Sequence, residues 1–149
     1  KVFDRLVVAA RHGGPYVIPL LADRDLSAAG VKVDLCGCTA RFAAGPAALA
    51  ARLDLPLYVG AMHYERLTGG RRRAAGSRWG QVLTLREVPR PRGLSGRDLV
   101  VAHTRAWAAV MGSLLAEHAV DWHMLQAVFD ADLDQRRLAR SHAAQEERA

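Results

Sequence analysis

Asp23, Arg24 and Asp25 close an apolar run, Ile18 to Ala22, and their types and spacing suit chemistry. A guanidinium offers a planar fork of donors that matches phosphate or carboxylate oxygens. A carboxylate beside it can hold that fork in place or accept a hydrogen bond from a hydroxyl. In open α/β sheets ligands gather beyond the carboxyl ends of strands, which is where this triplet falls if Ile18 to Ala22 is a strand. The same three residues also fit a plain ion pair at a strand exit. Cys36 and Cys38 are the only cysteines. Their C-x-C spacing lacks a second pair and a nearby histidine, so a zinc site is not expected and small buried or half-buried side chains are.

The elements that must position the charged triplet follow from periodicity. Val2, Phe3, Leu6, Val7 and Ala10 form a helical stripe that breaks at Gly13-Gly14-Pro15. Tyr16 to Ala22 reads as a strand, although Pro19 has no N–H to give a ladder. Val31 to Leu35 alternates, and Thr39 to Phe42 is its hairpin partner across Gly37, a small ribbon beside the charged turn. Gly45-Pro46 opens a helix through AGPAALAARL, with proline where its missing N–H costs nothing; the free N–H groups of that first turn suit an anion. Leu55 to Met62 reads as a second buried strand, 66–80 as a mobile loop, and Trp79 to Val88 as an edge strand. Arg97 to His118 is a long helix with Val100, Trp107, Val110, Met111 and Leu114 on one face. Asp121 can cap a further short helix through WHMLQAVF. The remainder is a charged tail, frayed or disordered.

With 149 residues, half of them hydrophobic, the chain amounts to one domain with enough apolar content for a core. No run reaches the roughly 18 apolar residues of a membrane span. The chain opens at Lys1 inside an amphipathic stretch, so it is expected to be N-terminally incomplete. The net charge of +6 is concentrated: between Arg66 and Arg97 nine arginines face a single acid, Glu87. Such a segment suits an anionic membrane surface or nucleic acid, but no helix-turn-helix, zinc or aromatic RNA-binding signature accompanies it.

In order, the chain carries LLADRDLSAAGVKVDLCG, ARFAAGPAALAARL, an apolar strand, and EHAVDWHMLQAVF. From about Val17 to Leu133 this resembles the C-terminal part of phosphatidylinositol mannoside acyltransferases, relatives of the lipid A lauroyl and myristoyl acyltransferases in the lysophospholipid acyltransferase superfamily. ADRD before GVKVDLCG, the AGPAALA helix start and DWHMLQ carry the likeness. The resemblance implies an α/β domain over 1–133, a twisted mixed sheet flanked by helices as in glycerolipid acyltransferases, followed by a tail at 134–149. It further implies transfer of a fatty acyl chain from acyl-CoA, a co-substrate and not a cofactor, to a mannose hydroxyl of a glycolipid. The place implied is the cytoplasmic face of the plasma membrane, with the protein peripheral or held by a preceding segment. A lipid A-type acceptor is the alternative within the family, and a basic nucleic-acid-binding module the alternative outside it; no nucleic-acid or metal partner is expected.

The family's catalytic box is a histidine, four residues, then aspartate or glutamate, the imidazole taking the proton of the attacking hydroxyl. It is expected upstream of ADRD. His12, His63, His103, His118 and His123 lack the acid at that spacing; His142 and Glu147 have it, but in the charged tail, away from every family block. No catalytic residue is therefore assigned in this chain. By resemblance Arg24 contacts phosphate of the acceptor or of coenzyme A, and Asp23 or Asp25 holds it or accepts from a sugar hydroxyl. Gly45 and Pro46 close the pocket floor, and Arg41 on the ribbon adds to an anion site. His123 is expected to pack with Trp122 and Met124.

Overall fold

A computed structural model describes residues 2–12, 17–25, 27, 30–134, 136, 139 and 143. Helix α1 (Val2–Arg11) is followed by strands β1 (Val31–Leu35) and β2 (Cys38–Phe42), helix α2 (Gly45–Leu53) and strand β3 (Tyr58–Arg66). Then come the short helix α3 (Gly69–Ala75), strand β4 (Trp79–Glu87) and the 23-residue helix α4 (Gly96–His118). The chain is thus mixed α and β. Among the described residues its strands form two separate antiparallel pairs, β1–β2 and β3–β4, where a single twisted mixed sheet was expected.

The hairpin β1–β2 turns through two residues, Cys36 and Gly37, both with positive φ (56° and 83°), the turn whose twist matches that of paired strands. The alternation of β1 is converted directly into burial: Val31, Val33 and Leu35 face inward with Ala40 and Phe42 of β2. These side chains meet α4, where Phe42 stacks on Trp107 with ring centroids 4.4 Å apart, and Ala108 and Leu114 close the core. Cys36 and Cys38 are exposed beside the turn, not buried or half-buried as the sequence suggested, because a two-residue turn leaves no layer to cover them.

Ile18 to Asp25 is not a regular strand. Val17 and Leu21 are open to solvent, and Pro19 can donate nothing. Only the end of the segment joins the ribbon: Ala43 N–H donates to Ala22 O at 3.1 Å and Asp25 N–H to Arg41 O at 2.7 Å, along the edge of β2 that β1 leaves free. The second strand begins at Tyr58, not Leu55, and alternates between exposed and covered residues along its length. The segment expected as a mobile loop contains α3, which ends on Gly76 at φ 61°. Asp121 starts no helix through WHMLQAVF; a 3-10 turn at Ala119–Asp121 gives way to irregular chain, because the Asp121 carboxylate accepts from Tyr64 N–H at 3.1 Å and is committed to β3. Phe129 then bridges to Ala40. Most of the 134–149 tail lies outside the described residues, as do His142 and Glu147.

Helix α4 with the following turn, Gly96–Asp121, is long enough, and over an 18-residue stretch apolar enough (mean hydropathy 1.4), to cross a membrane by length and composition, where no such run was expected. Leu99, His103, Thr104, Trp107, Ala108 and Leu114 nevertheless form a buried face. That makes α4 the core helix around which both hairpins pack.

His103 lies in that face at 2% exposure, with neither ring nitrogen in a well-formed hydrogen bond and only the Val88 backbone close enough to oppose the effect of burial. Burial, helped by the nearby Arg90 charge, holds its pKa below the ordinary 6.5. The unfolded chain takes up a proton near pH 6.5 and the folded chain does so only at lower pH, so stability should fall as pH drops below about 6.5. Urea midpoints between neutral and mildly acidic pH should show that decline, and His103→Leu should flatten it; an unchanged slope in the variant would place the pH dependence elsewhere.

Candidate functional site

A cleft of about 250 Å³ opens between the free edge of β3, the C-terminal half of α4 and the Leu20 to Asp23 segment. Its walls are apolar because each bordering element turns a hydrophobic face to it: Leu57 and Ala61 from the β3 side, and Trp107, Met111, Leu114 and Leu115 from α4. The stripe at 107, 111 and 114 recurs at the three- and four-residue steps that keep side chains on one helix face. Leu20 and Leu21 form one lip, and Pro46, in the first turn of α2, contributes to the wall. Among the described residues the ionisable groups on the cleft are Asp23, His118, Asp121 and the phenol of Tyr58.

The end of the cleft at α4 is a knot of side chains. The His63 and His118 rings stack nearly parallel, with centroids 3.6 Å apart and planes 6° from one another. Tyr64 meets His123 edge-on. Arg86 donates to Ser113 Oγ at 3.0 Å and to both oxygens of Glu117 at 2.7 and 2.8 Å, pinning β4 to the same last turns of α4. Those bonds hold the Glu117 carboxyl below the usual carboxylate range, and the neighbouring imidazoles act in the same direction. His63 had no partner that the sequence could name; it lies 55 positions from His118, and only β3 laid against α4 brings the two together. His123 is exposed and packs edge-on against Tyr64, while Trp122 lines the cleft.

The charged triplet is dispersed. Asp23 reaches the cleft. Arg24 turns the other way, Nε donating to Ala127 O at 3.0 Å and a terminal nitrogen to Gln126 Oε1, so it anchors the C-terminal segment. Asp25 accepts from Ser27 N–H at 2.8 Å within its own turn. That turn is tight enough to require Gly30, where a Cβ would stand 2.9 Å from the Asp25 carbonyl oxygen and 3.3 Å from Arg41 Cβ. Arg41 pairs with Asp130 at 3.5 Å. Gly45 is exposed at the start of α2 and does not line the cleft. Of the six residues assigned to binding from the sequence, the cleft therefore gathers Asp23 and Pro46. Of its other polar groups, His118 and Asp121 lie beyond the reach of local pattern: the α4 stripe foretold the apolar wall, but not that these two would face it.

An apolar cleft lined by two carboxylates, an imidazole and a phenol, with no arginine or lysine on its walls among the described residues, suits a hydrocarbon chain and hydroxyl groups better than a phosphate. No protein-family model matches the chain. Three curated proteins do, each named phosphatidylinositol mannoside acyltransferase. That of Mycolicibacterium smegmatis is 36% identical over 134 residues, which is 90% of this chain and 39% of the relative. Those of Mycobacterium tuberculosis strains H37Rv and CDC 1551 are 34% and 35% identical over 133 residues, 89% of this chain and 37% of each relative. The chain spans less than two fifths of the length of these relatives, and nine tenths of it is similar to them, as the resemblance led one to expect.

Proposed function

We propose that this chain is the acyl-chain- and acceptor-binding part of an acyltransferase that moves a fatty acyl group from acyl-CoA to a mannose hydroxyl of a phosphatidylinositol mannoside. The observation that carries the reading is an apolar cleft bordered by Asp23 and Pro46, inside a span similar to proteins named phosphatidylinositol mannoside acyltransferase. The acceptor oxygen attacks the thioester carbonyl, a histidine outside this chain takes its proton, and coenzyme A leaves as the thiol while the ester forms. The walls built by Met111, Leu114 and Leu115 take up the hydrocarbon and keep water away from it. Asp23 accepts from a sugar hydroxyl, which orients the acceptor. The phosphate role of Arg24 requires it to exchange Gln126 and the Ala127 carbonyl for a phosphate oxygen. This reading places the work on the cytoplasmic face of the plasma membrane.

A chimera tests this. The M. smegmatis relative, with its matching 134 residues replaced by this chain, should transfer palmitoyl from its coenzyme A thioester to mannosylated phosphatidylinositol. The chain alone should not. A folded chimera that transfers only to a lipid A-type acceptor would move the substrate assignment to the other branch of the family. One that transfers to neither would end the reading.

A further inference from the structure

Cys36 stands at a backbone position that cysteine seldom takes. It is the first residue of the two-residue turn between β1 and β2, at φ 56°, where asparagine, aspartate or glycine is the usual occupant. A residue held in that region points to a use for its side chain. Gly37 follows at φ 83°, and Cys38 opens β2 directly opposite Leu35. The two thiols share one side of the ribbon. Cys36 Sγ lies 3.6 Å from Gly112 O, so it reaches toward α4, and Cys38 has the parity of Phe42, which stacks on Trp107 of the same helix. Both are free and exposed, and as the only cysteines of the chain they can form a disulfide within it only with each other. Two Cα–Cα steps of about 3.8 Å already limit the pair to about 7.6 Å, and the reversal of the chain at Gly37 brings it toward the roughly 4.4–6.8 Å that a disulfide spans. A reagent has room to approach. Cys36 borders an open hollow of about 600 Å³, where Ala109, Gly112 and Ala116 of α4 present little side chain. That is a different face of α4 from the one that Met111, Leu114 and Leu115 give to the cleft.

We propose that Cys36 and Cys38 are a redox-active pair, which closes to an internal disulfide by exchange with a small-molecule disulfide and is reopened by small thiols. Cys36, as the thiolate, attacks one sulfur of the incoming disulfide, and the half that leaves takes up a proton as a thiol. Cys38 then attacks Cys36 Sγ and releases the second half. The pair loses two electrons and two protons, and the small disulfide gains both as it becomes two thiols. Because Cys38 is already at hand on the same side of the turn, this second step outruns attack by another molecule of reagent. Closing a ring of only three residues constrains the unfolded chain little, so the bond is not a structural staple. An exposed disulfide is instead the labile kind that small thiols reduce. The pair stands apart from the cleft, and nothing in its chemistry depends on acyl transfer.

Mass spectrometry of the reduced 149-residue chain after incubation with oxidised glutathione and an acid quench tests this. The product should be lighter than the reduced chain by two hydrogen atoms, carry no glutathione, and return to the starting mass with dithiothreitol. Cys38→Ser should stop at the mixed disulfide on Cys36, one glutathione heavier, at a level at least about tenfold above the same adduct in the parent. In urea that unfolds the chain, the closed fraction at the same glutathione ratio should fall at least about threefold, because the ribbon no longer holds both thiols on one side. The parent's own product decides the matter should the serine variant fold poorly. Glutathione retained on both cysteines, chains joined to one another, or no reaction at all would overturn the proposal. So would an unfolded chain that closes as readily as the folded one.

Discussion

Replacing Phe42 with alanine should lower the free energy of unfolding by about 3–5 kcal/mol, a large part of the about 5–15 kcal/mol that holds an ordinary domain. Phe42 is wholly buried, stacks on Trp107, and stands where the β1–β2 ribbon meets the core helix α4. The loss combines the transfer of a phenyl ring with a cavity that Leu35, Ala40 and Ala108 cannot close, because their backbones are fixed by the hairpin and the helix. The effect should reach the cleft, since Trp107 is also one of its walls. Urea denaturation followed by circular dichroism measures it, with Leu94→Ala, at an exposed position, as a control expected to stay within about 0.5 kcal/mol. A Phe42→Ala loss below about 1 kcal/mol would mean that this layer is not the centre of the fold.

What local pattern dictates was legible in the sequence. The alternation of Val31 to Leu35, the proline at the start of α2 and the apolar stripe of α4 each became an element with bounds within a residue or two of expectation. The misses share one cause. Ile18 to Ala22 has a strand's composition, but a strand also needs a neighbour's edge, and only Ala22 and Asp25 find one on β2. WHMLQAVF has a cap and apolar residues, but the cap is drawn to Tyr64 N–H, and tertiary contact overrides propensity. The same holds for the site. Asp23, Arg24 and Asp25 are adjacent in sequence and read as a unit, yet successive side chains in extended backbone point opposite ways, which turns Arg24 from the cleft-facing Asp23 toward Ala127, while Asp25, on Asp23's side by that alternation, is drawn onto its own turn by Ser27 N–H.

That divergence separates the two aspartates experimentally. In the chimera, Asp23→Asn should lower kcat/KM for the mannoside acceptor by about 10- to 100-fold, because a hydrogen bond from a hydroxyl to a charged acceptor contributes about 1.5–3 kcal/mol and an amide replaces it poorly. Binding of acyl-CoA, which rests on the apolar walls, should change little, and so should the melting temperature, since Asp23 makes none of the bonds that tie its segment to β2. Asp25→Asn should behave in the opposite way. Its carboxylate serves the Ser27 N–H, and asparagine can accept the same bond in the same turn, so activity should fall less than about threefold. Asp25→Leu, which cannot accept that bond, should instead lower stability by about 1 kcal/mol and affect activity only through the fold. If Asp25→Asn proves as damaging as Asp23→Asn at unchanged stability, both carboxylates face the acceptor during turnover. The turn between Asp25 and Gly30 must then open when substrate binds, and hydrogen exchange at Ser27 N–H with and without the glycolipid would show it.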